Sequence, residues 1–310
     1  MRVLLTSASG FVGQHVCRAL LDRGDEVVAA ARGLPRTDAA DAVSLDVTDR
    51  DRVIEEVRRI RPDAVVHLAG MASAAGSWER LGETLLVNVA GAGHLLEGVA
   101  EHAPEARVLL VGSGHQYDAP AEPRPLRESD RLGPTTPYGV SKVAQELLGA
   151  AWAERGLDVV MTRSFNHLGP GVDRATAAGS FCAQVAEIEA GRAEPLVRVG
   201  DLAAERDFLD VRDVARAYLA LLEQGERSEV YNVASGVARR VGALLDIVLS
   251  LTEVPGIRIE ASGLRPGEPT SIAGDASKLR ALGWSPQIAL ETSVADTLAW
   301  YRARAGGRRD

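Results

Sequence analysis

Lysine has almost vanished from this chain of 310 residues: Lys142 and Lys278 are the only two among 35 basic residues, and arginine supplies the rest. Cysteine is as scarce. Cys17 and Cys182 stand far apart without C-x-x-C spacing, so neither a disulfide framework nor a zinc site is indicated, and both read as small core residues. No run of 18 consecutive apolar residues occurs anywhere, and the start MRVLLTSASG has one arginine and a short apolar stretch before small residues. Neither a membrane span nor a signal peptide fits that pattern, and a soluble, cytoplasmic protein is expected. Net positive charge is missing too. A balance of −8 and a pI near 5.4 argue against nucleic acid or an anionic membrane as the main partner. An anionic ligand would have to be held by a local cluster of arginines.

Apolar material, by contrast, is plentiful. Hydrophobic residues make up 46% of the chain, which suits one large domain or two fused ones. RVLLT (2–6) reads as a buried strand that runs through SASGFVG into the helical pattern HVCRALLDRG (15–24), ended by Gly24. EVVAAA (26–31), DAVVHLA (63–69), RVLLVGS (107–113) and LDVVMTRS (157–164) read as further apolar strands. Between them lie the helical stretches DRVIEEVRRI (51–60), LGETLLVNVAGAGHLLEGVAEHA (81–103) and PYGVSKVAQELLGAAWAERG (137–156). Continuous apolar strands separated by helices mean a parallel sheet covered on both faces, a doubly wound α/β fold of Rossmann type. After residue 166 the rhythm breaks into loops and isolated helices. The expected division is a first domain over 1–165, rejoined by a segment at 207–234, and a smaller C-terminal lobe from 166–206 and 235–310.

The scarcity of lysine gives weight to the stretch TPYGVSK, where Lys142 follows Tyr138 by four residues. On a helix the two share one face, with Cβ atoms roughly 5–6 Å apart. A fixed ammonium beside a phenol is expected to lower the phenol pKa from its usual value of about 10. With five Tyr and two Lys in the chain, a chance Tyr-x-x-x-Lys is expected roughly 0.03 times. The plain alternative is a surface tyrosine resting on a lysine stem.

Between the first strand and first helix, TSASGFVG (6–13) places Gly10 and Gly13 where backbone must approach closely, with Phe11 and Val12 between them. Such a turn aims backbone N–H groups and a helix N-terminus at a pyrophosphate. Ser7 stands where the first glycine is usual, so the fingerprint is degraded and an ordinary tight turn is the alternative. The second strand ends Ala30, Ala31, Arg32, without the carboxylate that grips the ribose 2′-hydroxyl of NAD. Arg32 suits a 2′-phosphate, and so NADPH; stacking on adenine and a share for Arg36 are the competing uses. Asp46 reads either as an acceptor for the adenine amino group or as a helix N-cap with Thr48.

The strand RVLLVGS delivers Ser113 to the carboxyl edge of the sheet, where its hydroxyl can hold a carbonyl oxygen that Tyr138 protonates. Asn88, on the helix before, is a candidate for organising backbone and water there. His67 lies within an apolar strand and reads as a satisfied structural residue. Gly10-Phe11-Val12-Gly13, His67-Leu68-Ala69-Gly70, Asn88, Ser113 four residues before Tyr117, and Tyr138-x-x-x-Lys142 together resemble the extended short-chain dehydrogenase/reductases. Most of that family act on nucleotide sugars, and the resemblance spans nearly the full length. It implies that Ser7, Gly10 to Gly13, Asp46 with Val47, Leu68-Ala69-Gly70 and Asn88 border the cofactor, and that Lys142 also binds the nicotinamide ribose. Hydride transfer between nicotinamide and a sugar carbon is implied too. So is a homodimer formed through two helices of each chain, here 83–102 and 137–155.

The second half narrows the resemblance. RSFNHLGPG (163–171), VGDLAAERDFLDVRDVARAY, EVYNVASG and RPGEPTSIAGDASKLRALGWSP are similar to GDP-4-keto-6-deoxy-D-mannose reductases and related NDP-4-keto-6-deoxyhexose 4-ketoreductases. By that resemblance the substrate is a nucleotide-diphosphate 4-keto-6-deoxy sugar, reduced by NADPH, with Asn166, Arg206 and Arg265 on the diphosphate. Guanidinium forks match phosphate oxygens, although ion pairs internal to RDFLDVRD are the alternative. Related 4,6-dehydratases place an acid and a base directly after the serine or threonine, where this chain has Gly114 and His115. Glycine has no proton to give, so reduction is favoured over dehydration. His115 remains a substrate contact, a proton relay or a polar loop residue. A nucleotide-sugar epimerase, using the same Ser113, Tyr138 and Lys142, and a non-catalytic NADP-binding regulatory protein are the rival readings.

Overall fold

The computed structural model describes residues 1–35, 39, 41–118, 122–261 and 271–306, so Arg36 and Arg265 lie outside the described residues. The chain opens with β1 (Arg2–Thr6), α1 (Phe11–Arg23), β2 (Glu26–Ala31), β3 (Asp41–Ser44), α2 (Arg50–Ile60) and β4 (Ala64–His67). Next come α3 (Leu81–Leu85), a π-helical turn (Leu86–Ala90), α4 (Gly91–His102), β5 (Arg107–Ser113), β6 (Pro125–Leu126), α5 (Pro137–Glu154) and β7 (Asp158–Ser164). The remainder runs β8 (Asn166–Leu168), α6 (Ala177–Glu189), β9 (Leu196–Val199), β10 (Glu205–Asp210), α7 (Val211–Gln224), β11 (Val230–Val233) and β12 (Ala238–Arg240). It finishes with α8 (Val241–Ser250), β13 (Arg258–Ala261), β14 (Ser271–Gly274), α9 (Ser277–Arg280) and α10 (Leu290–Ala305).

Seven parallel strands in the order β11-β7-β5-β4-β1-β2-β3 form the main sheet, the doubly wound arrangement that the apolar strands predict. Alternate residues of each strand face opposite sides, and helices cover both. Val3 and Leu5 pack with Val16 and Leu20 of α1 and Tyr218 and Leu221 of α7. Leu4 turns the other way, toward Val53 and Val57 of α2 and Leu95 and Leu96 of α4. A third apolar cluster joins α6, α8 and α10 around Cys182, Leu244 and Leu298. Cys17 and Cys182 are both buried free thiols, as expected of small core residues. Beside the main sheet, a smaller one in the order β12-β10-β14-β6, with β8 also paired to β10, carries Arg206 and Asn166.

Two elements differ from the sequence reading for physical reasons. Helix α1 begins at Phe11, four residues before the periodic pattern, because its first turn is part of the glycine loop and Gly10 is its N-cap. The single helix expected over 81–103 is interrupted by the π turn around Asn88. That interruption is a local widening of the helix at a buried polar residue, and apolar periodicity carries no signal of it.

Candidate active site

The loop between β1 and α1 explains its own sequence. Ser7 adopts φ 56°, the left-handed region that glycine enters freely and other residues enter at a cost. A Cβ on Gly13 would lie 2.1 Å from the Ser7 carbonyl oxygen, and one on Gly10 would lie 3.0 Å from Ser7 Oγ. No side chain caps α1 at Gly10, so the helix N-terminal N–H groups are left to an anion. Val12 packs on the core, and Phe11 stands edge-on to His15 at 5.8 Å. This cradle fits the pyrophosphate of a dinucleotide.

Arg32 lies exposed just past β2, with its charge reaching Asp46. Asp46 is exposed as well and folds back on Thr48, accepting from its backbone N–H at 2.9 Å and its hydroxyl at 2.7 Å. Those bonds hold the carboxyl below its usual range. The N-cap of α2 is Asp49, which accepts from Arg52 N at 3.1 Å, so the capping role considered for Asp46 belongs three residues on. Val47 is buried; its carbonyl accepts from His94 Nδ1 at 3.0 Å, and its side chain fills the space a Cβ on Gly91 would need.

At the end of β4, Thr6 Oγ1 accepts from the backbone N–H groups of Leu68 and Ala69, each at 3.0 Å. Its own proton therefore goes to His67 Nδ1 at 3.1 Å, which leaves His67 protonated on Nε2. That Nε2–H has no partner among the described residues, so the histidine expected to be satisfied is satisfied on one side only. Burial, and then the charge of Lys142, push His67 down to about 3, and it stays neutral. Asn88 clamps the same loop: its Oδ1 accepts from Met71 N at 2.7 Å, while its Nδ2 donates to Met71 O at 3.1 Å and Ser141 Oγ at 2.8 Å. Gly70 lies against this clamp, where a Cβ would stand 3.0 Å from Asn88 Oδ1 and 3.4 Å from Lys142 Nζ.

Helix α5 is started by Thr136, whose hydroxyl accepts from Gly139 N at 3.1 Å, and by Pro137 in the first turn. Tyr138 and Lys142 then fall on its buried face, 7% and 6% exposed. The Ser113 hydroxyl accepts from His115 N at 3.3 Å and lies close enough to the Tyr138 phenol to oppose the effect of its burial. Lys142 Nζ donates to Val111 O and to Gln145 Oε1, both at 2.8 Å. The expected lowering of the phenol pKa is absent. Burial pushes Tyr138 up, against the opposing pull of the Ser113 hydroxyl, and the ammonium is aimed at β5 and Gln145. Tyr138 is therefore a protonated donor at neutral pH, and burial brings Lys142 down to about 8. The exposed His115 ring meets the Tyr138 ring edge-on at 5.7 Å.

Behind this set lies a buried network that sequence reasoning missed. Gln116 Oε1 accepts from Ser113 N at 2.7 Å, and Gln116 Nε2 donates to Glu146 at 2.6 Å. Arg163 grips the same carboxylate with Nε at 2.9 Å and Nη2 at 2.7 Å, and its guanidinium lies over the Tyr117 ring at 4.7 Å. Tyr117 in turn donates to Asn232 Oδ1 at 2.7 Å. Ser113 is thus fixed through its backbone by a fully partnered charge pair. The available signal was Glu146, one turn beyond Lys142 on the same helix face.

Of the substrate candidates, Asn166 donates to Asp207 O at 3.1 Å, and Arg206 donates to Glu205 O at 2.9 Å with Arg239 directly across the strand pair. Within RDFLDVRD an internal pair does form, Asp210 with Arg212 at 2.8 Å. Arg265 lies outside the described residues. Gly114 faces Phe165: a Cβ there would meet the ring at 3.1 Å. Among the described residues no helix is long and apolar enough to cross a membrane.

Known proteins are similar to this chain over nearly its whole length. The chain is 31% identical to GDP-6-deoxy-D-mannose reductase of Pseudomonas aeruginosa over 98% of both chains. It is 32% identical to UDP-glucose 4-epimerase of Azospirillum brasilense, over 97% of this chain and 92% of that one. The structure of RMD from Pseudomonas aeruginosa complexed with NADPH superposes with a TM-score of 0.87 at 32% identity, covering 98% of this chain and 99% of that one. A match to the NAD dependent epimerase/dehydratase family spans residues 3–234. With its parallel sheet, glycine loop and Ser113-Tyr138-Lys142 set, the chain belongs to that family, the extended branch of the short-chain dehydrogenase/reductases.

Proposed function

We propose that this protein reduces the 4-keto group of an NDP-4-keto-6-deoxyhexose, of the GDP-4-keto-6-deoxymannose type, with NADPH. The observation that carries the reading is Ser113 beside a buried, protonated Tyr138, next to a position 114 that carries no acid and is pressed on the Phe165 ring. Bound NADPH would supply the hydride. Ser113 holds the carbonyl oxygen, and Tyr138 gives it a proton as negative charge develops. Lys142 orients the nicotinamide ribose. Elimination of water would need an acid after Ser113, and the Phe165 ring crowds the space such a side chain would take. His115, edge-on to Tyr138, borders the sugar. Asn166, Arg206 and Arg265 take the diphosphate.

The glycine loop, Arg32 at the end of β2 and the NADPH-bound relative support NADPH as the reductant. Exposed Leu85 and Leu86 before α4, and Val140 and Leu147 on α5, support a homodimer through these helices. A reductant-consuming enzyme of soluble nucleotide sugars belongs in the cytoplasm. The test is to mix pure protein, NADPH and a panel of GDP- and dTDP-4-keto-6-deoxy sugars, following nicotinamide absorbance and product. Loss of NADPH matched by deoxyhexose formation is expected with at least one sugar. No loss with any of them rejects the reading.

The similarity to UDP-glucose 4-epimerase favours one second reading, in which the same three residues work with a cofactor that never leaves. It predicts purified protein already carrying nicotinamide nucleotide and inverting C4 of a UDP-hexose with no net consumption of reductant.

A further inference from the structure

We propose that Gln145 is a positioning residue for Lys142: its amide oxygen and the Val111 carbonyl take two of the three ammonium N–H donors, leaving one for the ribose of the nicotinamide nucleotide. The geometry is a closed triangle. Lys142 Nζ donates to both acceptors at 2.8 Å, and Gln145 Nε2 donates to the same Val111 oxygen at 3.2 Å. Because an ammonium only donates, the glutamine must present its oxygen to Nζ, so the orientation of the amide is decided. Gln145 is 1% exposed and cannot turn to solvent instead. The ammonium is also near Gly70, on the loop that Thr6 and Asn88 hold in place.

The other groups around Nζ leave this task to Gln145. His67 on β4 is neutral, and Tyr138 one turn back is a protonated phenol. β5 contributes an uncharged carbonyl, and the π turn contributes the amide of Asn88. Glu146, next along α5, is taken by Arg163 and Gln116. Among the described residues the buried cation thus rests on dipoles and on no counter-ion. Removing the Gln145 oxygen favours the neutral amine, and replacing it with a carboxylate favours the ammonium.

The scarcity of lysine makes the test direct. Protein labelled with 13C at lysine Cε gives two resonances, from Lys142 and Lys278, and Lys278→Arg assigns them. In the wild type the Lys142 signal should titrate near pH 8. In Gln145→Leu the midpoint should fall by about 1 to 2 pH units, the size expected for one charge-assisted hydrogen bond. In Gln145→Glu it should rise. The catalytic consequence rests on the reductase reading: Gln145→Leu should lower kcat roughly 10- to 100-fold and weaken NADPH binding, with the sugar KM little changed. An unchanged midpoint in Gln145→Leu, or, should that variant not fold, in Gln145→Glu, overturns the proposal. Shifted midpoints in a protein that reduces no keto sugar would uphold Gln145 and reject the reaction class.

Discussion

The cofactor end and the catalytic end of the site are held together by different means. Around the glycine loop the chain uses backbone shape, with Ser7 left-handed, Gly13 pressed on the Ser7 carbonyl and a helix N-terminus left uncapped. The side chains proposed to meet a cofactor there, Arg32 and Asp46, are exposed. Around Tyr138 the holding is done by buried side chains, each gripped at two or more points: Asn88 by Met71 and Ser141, Lys142 by Val111 and Gln145, Glu146 by Arg163 and Gln116. An exposed group can be exchanged at the cost of its own contact. A buried one leaves its partners unpaired, which costs more.

The largest expected effect is therefore at the catalytic end. Tyr138→Phe keeps the ring against His115 and removes only the proton donor, so turnover should fall about 10²- to 10⁴-fold while NADPH affinity, read by nicotinamide fluorescence, stays close to wild type. A variant keeping a tenth of the activity would refute the role of the phenol.

Arg163→Met comes next and separates stability from chemistry. It leaves Glu146 buried with Gln116 alone, a situation that costs about 3–5 kcal/mol, readable as a lower midpoint in denaturant unfolding. Adding Glu146→Leu should recover much of the loss, because the stranded charge is then gone. If the double variant is no better than the single one, the guanidinium is needed for its stacking on Tyr117 and not for the pair.

At the cofactor end Arg32→Ala should act on binding alone. A charge-assisted contact to a 2′-phosphate is worth about 1.5–3 kcal/mol, or about 10- to 150-fold in affinity. NADPH should weaken by that factor with NADH hardly changed. Wild-type protein that binds both cofactors equally would break the assignment, and an equal loss for both in the variant would point to stacking on adenine.

The same contrast decides what could be read beforehand. Continuous apolar strands expose the sheet directly, since a parallel sheet buried on both faces has no other pattern available to it. Ser113, Tyr138 and Lys142 could be singled out beforehand because the chemistry proposed for them needs those residue types at those places. The direction of the Tyr138 pKa could not, because it depends on how deeply the phenol is buried, and the ammonium that would offset burial is turned to a carbonyl of β5 and to Gln145. Helical spacing puts Gln145 and Glu146 near Lys142 but says nothing of whether that face meets water or the sheet. Asp46 and Asp49 carry the same capping chemistry three residues apart, and the choice falls to where α2 starts.

The smallest predicted effect tests backbone shape itself. Ser7 holds a conformation that costs an L-residue roughly 1–2 kcal/mol, whereas glycine adopts it freely but loses about 0.5–1 kcal/mol more chain entropy on folding. The two nearly offset, so Ser7→Gly should stabilise the protein by about 1 kcal/mol or less, a rise in Tm of a few degrees at most. Since the cradle is made by the backbone and by Gly10 and Gly13, dinucleotide affinity should be unaltered. A fall in Tm with intact affinity would mean that the Ser7 hydroxyl, which borders the space beside Gly10, secures the loop. A fall in NADPH affinity with unchanged Tm would mean that this hydroxyl reaches the pyrophosphate, and that a side chain contributes to binding in a cradle otherwise built from backbone.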